Sequence, residues 1–187
     1  MAGLRISGGS LRGRRMPLPT HGLRPTSERA RQAFFNIVGD RIDGARFLDL
    51  FAGSGIFSFE AVSRGASAAC AIESSRKATD AIRERSLALG LPIQVIAADA
   101  FAGMKRLPHE EQWNVVYADP PYDFVRYGEL LEVFDSQLPL SSDAVIAIEH
   151  RTGTSPFDRV ELKCLDCERS SAYGEVSITF FEPKDRG

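Results

Sequence analysis

The chain has 187 residues, 26% of which are charged, and a formal net charge of −2 at pH 7. This length accommodates one domain with a substantial hydrophobic core and leaves little room for a separate target-recognition module. We expect a protein of the reducing cytoplasm, because the three cysteines are few and odd in number and the sequence shows no signal peptide and no apolar segment of membrane length.

The first 31 residues form a basic segment with seven arginines and one acidic residue, Glu28. Its net charge of +6 leaves −8 for the remainder of the chain. Such a segment favours a nucleic acid partner, because the planar guanidinium group forms paired hydrogen bonds with phosphate. Charge alone is equally compatible with a solvated tail. Apolar residues spaced among the glycines favour instead a short hairpin packed on the domain: Ile6, Leu11, Met16 and Leu18.

We expect this basic arm or hairpin to span residues 1–25 and the main domain to span residues 26–187. A helix is predicted from about Thr26 to Val38, after Pro25. Strands and helices then alternate without a linker or a repeat, which predicts an α/β fold.

The first strand of the domain, predicted at Phe47–Phe51, leads into the turn Ala52-Gly53-Ser54-Gly55 and a helix that begins near Ile56. This order is typical of a nucleotide-binding βα unit. Gly53 and Gly55 would allow the backbone to approach a ligand closely, and the helix amino end offers N–H groups to a carboxylate. The third glycine of the dinucleotide fingerprint is absent, which favours a cofactor smaller than one with a pyrophosphate.

Strands predicted at Ala69–Ile72 and Ile93–Ala97 are each followed by an acidic residue. Glu73 lies about twenty residues after the glycine turn, where an acid commonly binds the ribose hydroxyls of an adenosine. Asp99 could accept a hydrogen bond from an adenine amino group, with Phe101 against the ring. The alternatives are a solvated strand end for Glu73 and a helix N-cap for Asp99.

The strand predicted at Val115–Ala118 ends in Asp119-Pro120-Pro121-Tyr122, which predicts a clamp for a planar nitrogen. The prolines fix φ and remove two backbone donors, so that neighbouring carbonyls can face a cleft. With the Asp119 carboxylate, these carbonyls can hold both N–H groups of a base amine or a carboxamide and turn its lone pair toward an electrophile. Tyr122 offers a stacking surface. A simple turn is the alternative for the tetrapeptide alone.

Four successive strand ends thus carry the glycine turn, Glu73, Asp99 and Asp119. The carboxyl ends of parallel strands form the ligand-binding edge of open α/β sheets, so we expect these groups to share one site. The combination predicts methyl transfer to a planar nitrogen.

Further elements are predicted downstream: helices near Ser75–Leu89 and Phe124–Leu138, and strands near Ala144–Ile148, Arg159–Leu165 and Val176–Glu182. The last two strands are too close for a crossover helix, so we expect them to pair antiparallel at one edge of the sheet. Tyr173-Gly174 is predicted to form a hairpin turn, with the base pocket as the alternative location.

No metal site is expected. Cys164 and Cys167 have Cys-x-x-Cys spacing, but a zinc site would need a second pair of ligands. Cys70 lies in a predicted core strand, and the three histidines are scattered without ligand spacing.

The stretch Asp49–Gly55, with Glu73, Asp99 and Asp119–Tyr122 in that order, resembles the class I S-adenosylmethionine-dependent methyltransferases that methylate amino groups. The resemblance covers most of the chain. It implies a Rossmann-like α/β fold with a seven-stranded, mostly parallel sheet, an antiparallel edge hairpin and a small basic amino-terminal extension. It also implies S-adenosylmethionine as the cofactor, bound by Asp49, Phe51, Gly53, Ser54, Gly55, Glu73, Asp99 and Ala100. The catalytic residues that it implies are Asp119, Pro120, Pro121 and Tyr122.

More narrowly, Arg5–Gly9, Arg12–Arg14 and Leu23–Thr26, with Arg29, Phe34 and Asn36, are similar to bacterial 16S ribosomal RNA guanine-N2 methyltransferases. This resemblance implies methylation of the exocyclic N2 amine of one guanine in 16S ribosomal RNA, within an assembling or assembled small ribosomal subunit. The side chains expected to contact RNA phosphates are Arg5, Arg12, Arg24 and Arg29. Leu11 stands where relatives are expected to carry an aromatic residue, which weakens any stacking contact there.

Three other functions are compatible with parts of the pattern. A DNA adenine or cytosine amino-methyltransferase shares the clamp but normally needs added recognition sequence. A protein-glutamine methyltransferase also grips an amide but has no obvious use for the basic arm. A non-catalytic RNA-binding assembly factor has no need for the glycine turn, Glu73 or the clamp.

Overall fold

The structure is a computed structural model that describes residues 3–17 and 28–184. Its elements in chain order are β1 (Gly3–Arg5), β2 (Arg15–Pro17), α1 (Glu28–Val38), β3 (Arg46–Leu50), α2 (Ile56–Ser63), β4 (Ala68–Glu73), α3 (Arg76–Leu89), β5 (Ile93–Ala97), α4 (Ala100–Met104), β6 (Trp113–Ala118), α5 (Tyr127–Ser136), β7 (Leu140–Arg151), β8 (Leu165–Tyr173) and β9 (Val176–Pro183). The predicted helix start at Thr26, the predicted domain boundary at residue 25 and the predicted RNA contact Arg24 lie outside the described residues.

Strands β3 to β9 form one seven-stranded sheet in the order β5-β4-β3-β6-β7-β9-β8. Strands β3 to β7 run parallel, whereas β9 pairs antiparallel with β7 on one side and β8 on the other. The predicted mostly parallel sheet with an antiparallel edge hairpin is confirmed. The strand order reverses between β3 and β6, and open α/β sheets bind ligands outside the carboxyl ends of the strands at such a point.

Helices cover both faces of this sheet. Each face of the sheet carries one hydrophobic core. Helices α1, α2 and α3 pack on one face around what we call the first core, and α4 and α5 pack on the other face around the second core. Because side chains alternate along a strand, Phe47 and Val115 enter the first core, whereas Leu48 and Val116 enter the second. Burial on both faces explains why the central strands appear in the sequence as continuous apolar runs.

The prediction of a strand at Arg159–Leu165 is wrong, because β8 begins only at Leu165. Val160 and Leu162 alternate as they would in a strand, but they pack against the second core from an irregular segment. The carboxylate of Asp135 fixes that segment by accepting hydrogen bonds from the backbone amides of residues 163–165 at 2.8–3.0 Å. Strand β8 itself is polar and mostly exposed, as edge strands commonly are, so hydrophobic alternation could not locate it.

Two neighbouring element bounds also differ from prediction. Helix α5 is shorter than the predicted Phe124–Leu138, and β7 is longer than the predicted Ala144–Ile148. Tyr173 pairs with Val176 across a two-residue turn in which Gly174 has a φ of 75°. The structure therefore shows a hairpin turn at Tyr173-Gly174.

The predicted amino-terminal hairpin is confirmed, since β1 and β2 pair antiparallel. Ile6 and Met16 are buried in the first core. The hairpin tip lies against the carboxyl-terminal turn of α2, where the Ser10 amide donates to the Ser63 carbonyl at 2.7 Å. Gly9 has a φ of 75°, and a side chain there would collide with the Ser63 carbonyl oxygen. The hairpin is therefore packed on the folded body, while the boundary at residue 25 stays a prediction.

A buried ion pair joins this hairpin to α1 and α2. Arg31 Nε donates to Glu60 Oε2 at 2.8 Å, and both side chains are fully buried. Arg31 Nη2 donates to the carbonyl of Arg5 at 2.7 Å. Glu60 also accepts hydrogen bonds from Ser7 and Arg64. One carboxylate thus connects three separate elements.

Within residues 3–17 and 28–184, no helix is both long enough and apolar enough to cross a membrane. The same residues contain no group of three or more His, Cys, Asp or Glu side chains arranged to hold a metal ion. Cys164 and Cys167 are free thiols.

Candidate active site

The β3–α2 turn, residues 51–55, presents backbone at the carboxyl end of β3. Gly53 and Gly55 have φ of 54° and 73°, and a side chain at Gly55 would meet Ile82 of α3 at 2.9 Å. Phe51 adopts a φ of 59° without being glycine, a strained conformation that clusters at functional turns. The first amides of α2 have no intrahelical acceptor and lie directly after this turn.

Glu73, at the end of β4, holds the turn from the neighbouring strand. Its Oε2 accepts a hydrogen bond from the Gly53 amide at 2.9 Å, and its Oε1 accepts one from the Ser75 amide at 2.7 Å. The side chain is buried, so it is not a solvated strand end. Oε1 also accepts a hydrogen bond from the Ser74 hydroxyl at 3.3 Å, so Oε2 is the oxygen that retains acceptor capacity for a ligand.

Asp49 lies beneath the turn in the first core. Its Oδ2 accepts hydrogen bonds from the amide and the hydroxyl of Ser58 on α2, at 3.1 and 2.6 Å. Burial is the main cause that raises the pKa of Asp49 from 3.8 to about 7, and the charges of Asp119 and Glu73 raise it further. Asp49 therefore positions α2 from below, and direct contact with a cofactor stays a prediction.

Asp99 follows β5 and caps α4. Its Oδ1 accepts a hydrogen bond from the Ala102 amide at 3.1 Å. The predicted alternative, that Asp99 is a helix N-cap, is therefore confirmed. Ala100 is buried, whereas the Asp99 side chain is exposed. The guanidinium of Arg126 lies 4.0 Å from the ring centroid of Phe101. A carboxylate, an aromatic ring and a cation thus surround the end of β5, and sequence analysis missed the cation because it comes from a distant segment.

Asp119 is placed beside the glycine turn by the parallel pairing of β6 with β3. Its amide donates to the Leu50 carbonyl at 3.3 Å, which ties the ends of the two strands together. Pro120 is buried and Asp119 is half-buried, whereas Pro121 and Tyr122 are exposed. The structure thus brings the clamp and the glycine turn to one edge of the sheet.

Two aromatic contacts surround the clamp. The guanidinium of Arg151, at the end of β7, lies 5.4 Å from the ring centroid of Tyr122. Phe124 packs edge-to-face on Phe51, with ring centroids 5.4 Å apart. Sequence analysis missed Arg151, because its position depends on β7 being the neighbour of β6 in the sheet. The clamp is therefore bordered by a cation on one side and linked to the glycine turn on the other.

Tyr117 supports the clamp from the first core. Its hydroxyl donates to Glu149 Oε2 at 2.6 Å, and the ring of Phe57 stacks on its own at 3.8 Å between centroids. Burial raises the pKa of Tyr117 well above its ordinary value, and the charges of Glu149 and Asp119 add to this effect. The phenol therefore stays protonated and holds the end of β6 against β7.

The predicted RNA contacts lie on the hairpin and on α1. Arg5, Arg12 and Arg29 are exposed, while Arg24 lies outside the described residues. Arg12 follows the tip that contacts Ser63, at the end of α2 away from the glycine turn. Arg12 therefore lies away from the glycine turn and from the clamp beside it.

Comparison with known proteins identifies the family. A family model described as conserved hypothetical protein 95 matches residues 4–182. The chain is 35% identical over 150 residues to ribosomal RNA small subunit methyltransferase D of Escherichia coli strain K12, which covers 78% of this chain and 74% of that one. It is 30% identical over 150 residues to the protein of the same name from Haemophilus influenzae, with 78% of each chain covered.

Solved structures agree with this relationship. The Escherichia coli protein yhhF, provisionally described as a methyltransferase, matches with a TM-score of 0.83 and 28% identity, over 98% of this chain and 99% of that one. The chain therefore belongs to the conserved hypothetical protein 95 family, the family of the bacterial 16S ribosomal RNA methyltransferases that its sequence resembles, and it is a methyltransferase of the class I fold.

Proposed function

We propose that the chain transfers a methyl group from S-adenosylmethionine to the exocyclic N2 amine of one guanine in 16S ribosomal RNA. The substrate is an assembling or assembled small ribosomal subunit in the cytoplasm. The observation that carries the proposal is the pairing of β6 with β3, which sets the Asp119 clamp beside the glycine turn. A site for a nitrogen nucleophile thus adjoins a site for a small nucleoside cofactor.

The groups at the strand ends fit S-adenosylmethionine in their chemistry. The backbone of Gly53–Gly55 and the amino end of α2 suit the methionine carboxylate, and the second lone pair of Glu73 Oε2 suits a ribose hydroxyl. Asp99, Ala100 and the ring of Phe101 suit the adenine. When bound, the cofactor supplies an electrophilic methyl group on a sulfonium centre.

The clamp contributes orientation. The Asp119 carboxylate accepts one N–H of the guanine amine and a carbonyl in the Pro120 region accepts the other, which turns the nitrogen lone pair toward the methyl group. The ring of Tyr122 stacks on a guanine that has left its RNA stack. The buried Pro120 and the hydrogen bond from the Asp119 amide to the Leu50 carbonyl hold the backbone of the clamp in place, which supports this role.

The clamp also stabilises charge. As the nitrogen–carbon bond forms and the sulfur–carbon bond breaks, positive charge moves onto the amine. The half-buried Asp119 carboxylate stabilises that charge where water is partly excluded. The excess proton then leaves to Asp119 or to water, and the products are N2-methylguanine, the neutral thioether and one proton.

The basic hairpin supports an RNA substrate. Arg5 and Arg12 are exposed on the hairpin and Arg29 is exposed on α1, and guanidinium groups pair well with phosphate. We expect Arg24, in the same basic segment, to join them. Both relatives described above are named for the RNA of the small ribosomal subunit.

Incubation with radiolabelled S-adenosylmethionine tests the proposal. Unmodified small subunits, free ribosomal RNA, duplex DNA and a release-factor protein serve as parallel substrates, and the labelled product is digested and identified. Label in N2-methylguanine of small-subunit RNA is the expected result. Label only in DNA or in protein would replace the RNA assignment by one of the other amino-methyltransferase functions. Cofactor binding without label in any substrate would favour the assembly factor.

A further inference from the structure

Val125 is the most exposed large apolar side chain in the described part of the chain, with 88% of its surface accessible. It lies in the segment between the clamp and α5, a few residues after Tyr122. A single exposed aliphatic side chain is ordinary on protein surfaces. The surroundings of Val125 distinguish it from such a residue.

Both chain neighbours of Val125 are anchored. The Phe124 amide donates to the Pro121 carbonyl at 2.9 Å, and its ring packs on Phe51 of the glycine turn. On the other side, the guanidinium of Arg126 lies 4.0 Å from the centroid of Phe101. The residues on both sides of Val125 are therefore held in place. The isopropyl group of Val125 projects from this segment at the same edge of the sheet as the clamp.

The chemistry of the clamp creates a requirement for such a group. A guanine cannot place its amine against Asp119 and its ring on Tyr122 while it stays between its neighbours in a base stack. Extrusion leaves two base faces apart and exposed to water. Proteins that open base steps commonly insert an apolar side chain into that gap, because it covers the exposed faces.

We infer that Val125 is a wedge that enters the RNA base stack and fills the space left by the target guanine. This inference rests on the proposed function, because it assigns a step of that same reaction. It adds a residue for base extrusion to residues that orient the amine and bind the cofactor. A side chain that fills a gap must be apolar and branched or long, so alanine is insufficient and leucine is sufficient.

The chain offers a matched control in Leu87, which is 82% exposed on α3. We compare the unaltered protein with Val125→Ala, Val125→Leu and Leu87→Ala. Single-turnover methylation of unmodified small subunits is measured at saturating and at limiting subunit concentrations. Binding of S-adenosylhomocysteine is measured by calorimetry for each variant.

We expect Val125→Ala to reduce the single-turnover rate at saturation by about tenfold, because loss of buried apolar surface makes the extruded state less populated. Val125→Leu and Leu87→Ala should keep the unaltered rate, and all variants should bind S-adenosylhomocysteine equally.

Four outcomes would overturn the wedge. An unchanged rate in Val125→Ala would show that the Val125 side chain does not contribute to extrusion of the guanine. An effect confined to limiting subunit concentrations would indicate a plain RNA contact. Equal loss in Val125→Leu or loss of cofactor binding would indicate a structural role. If the unaltered protein itself labels no RNA, the proposed function fails instead, so the two failures are distinguishable.

Discussion

The guanidinium of Arg151 lies over the ring of Tyr122, with its central carbon 5.4 Å from the ring centroid. The contact joins the last residue of β7 to the last residue of the clamp, and both side chains are exposed. An aromatic ring beside a guanidinium combines a surface on which a base can stack with a donor for phosphate. The two side chains thus form one platform at the mouth of the clamp.

Replacement of Arg151 by alanine should weaken RNA binding. We expect the KM for unmodified small subunits to rise by about two- to fivefold, the range of an exposed cation–π contact, and the salt dependence of binding to decrease. Arg151→Lys should recover the charge but not the planar stacking. The control is Arg41→Ala, whose side chain pairs with Glu182 at 2.7 Å, toward the amino end of β7 and away from Arg151. Equal effects of the two alanine variants would contradict a specific role for Arg151.

Replacement of Asp119 by alanine should remove charge stabilisation and leave cofactor binding intact. We expect the methyl-transfer rate to fall by about a hundredfold or more, by analogy with other lost charge-stabilising groups. Asp123→Ala removes an exposed carboxylate from the same segment and should have little effect. Rates from quenched single-turnover reactions, with calorimetry for the cofactor, test this. A turnover rate in Asp119→Ala close to that of the unaltered protein would contradict the catalytic role assigned to Asp119.

Replacement of Glu73 by alanine should loosen the glycine turn. The amides of Gly53 and Ser75 would lose their shared acceptor, and because both hydrogen bonds are only partly buried the cost is about 0.5–1.5 kcal/mol for each. We therefore expect both a lower Tm and at least about tenfold weaker cofactor binding. Glu84→Ala, an exposed change on α3, is the control. Cofactor affinity equal to that of the unaltered protein would show that Glu73 acts on neither the turn nor the ligand.

Local sequence patterns predicted much of this site, because glycine turns and buried strands leave local signals. Strand β5 has the predicted bounds Ile93–Ala97, and α2 begins at the predicted Ile56. The acids at Glu73 and Asp119 could be located because each directly follows a continuous apolar run. Where the fold depends on a short stretch of chain, the sequence is sufficient, while the roles of the site residues stay predictions.

Contacts between distant segments were not predictable in this way. Arg151 reaches Tyr122, and Arg126 reaches Phe101, only because the strand order brings separate segments together. Strand β8 escaped prediction because a polar edge strand carries no hydrophobic alternation. The residues that sequence analysis missed are therefore those whose position depends on strand order rather than on local pattern.

Replacement of Asp49 by asparagine should change how stability depends on pH. Burial raises the pKa of Asp49 in the folded protein from 3.8 to about 7. The unfolded chain releases this proton at lower pH, so the contribution of Asp49 is fully present below about pH 3.8 and is lost as the pH rises through about 7. Asparagine has no proton to release, and its carbonyl can still accept from Ser58.

Urea unfolding at several pH values measures this effect. The stability of Asp49→Asn relative to the unaltered protein should increase between about pH 4 and 7, by an amount on the order of a few kcal/mol, and then stay constant. Titrating groups that do not interact with Asp49, such as His150, are present in both proteins and cancel in the difference. Parallel pH profiles for the two proteins would contradict the raised pKa.

Removal of the Glu60 carboxylate should destabilise the hairpin and the domain together. Glu60→Ala leaves the buried guanidinium of Arg31 without its partner, which typically costs about 3–5 kcal/mol. The exposed pair between Arg41 and Glu182 provides the control, because Glu182→Ala should cost no more than about 1 kcal/mol. Unfolding in urea measures both. A small effect of Glu60→Ala would show that Arg31 finds water once its partner is removed.

A double variant separates stability from the position of the basic arm. Arg31→Met with Glu60→Met removes both buried charges and keeps apolar volume, so much of the lost stability should return. It cannot restore the hydrogen bonds to Ser7 and to the Arg5 carbonyl. We therefore expect RNA affinity to stay low while Tm recovers, because the hairpin that carries Arg5 and Arg12 keeps its contacts with Ser63 but loses these two hydrogen bonds, which fix its position more closely. Full recovery of both properties would show that apolar packing alone positions the arm.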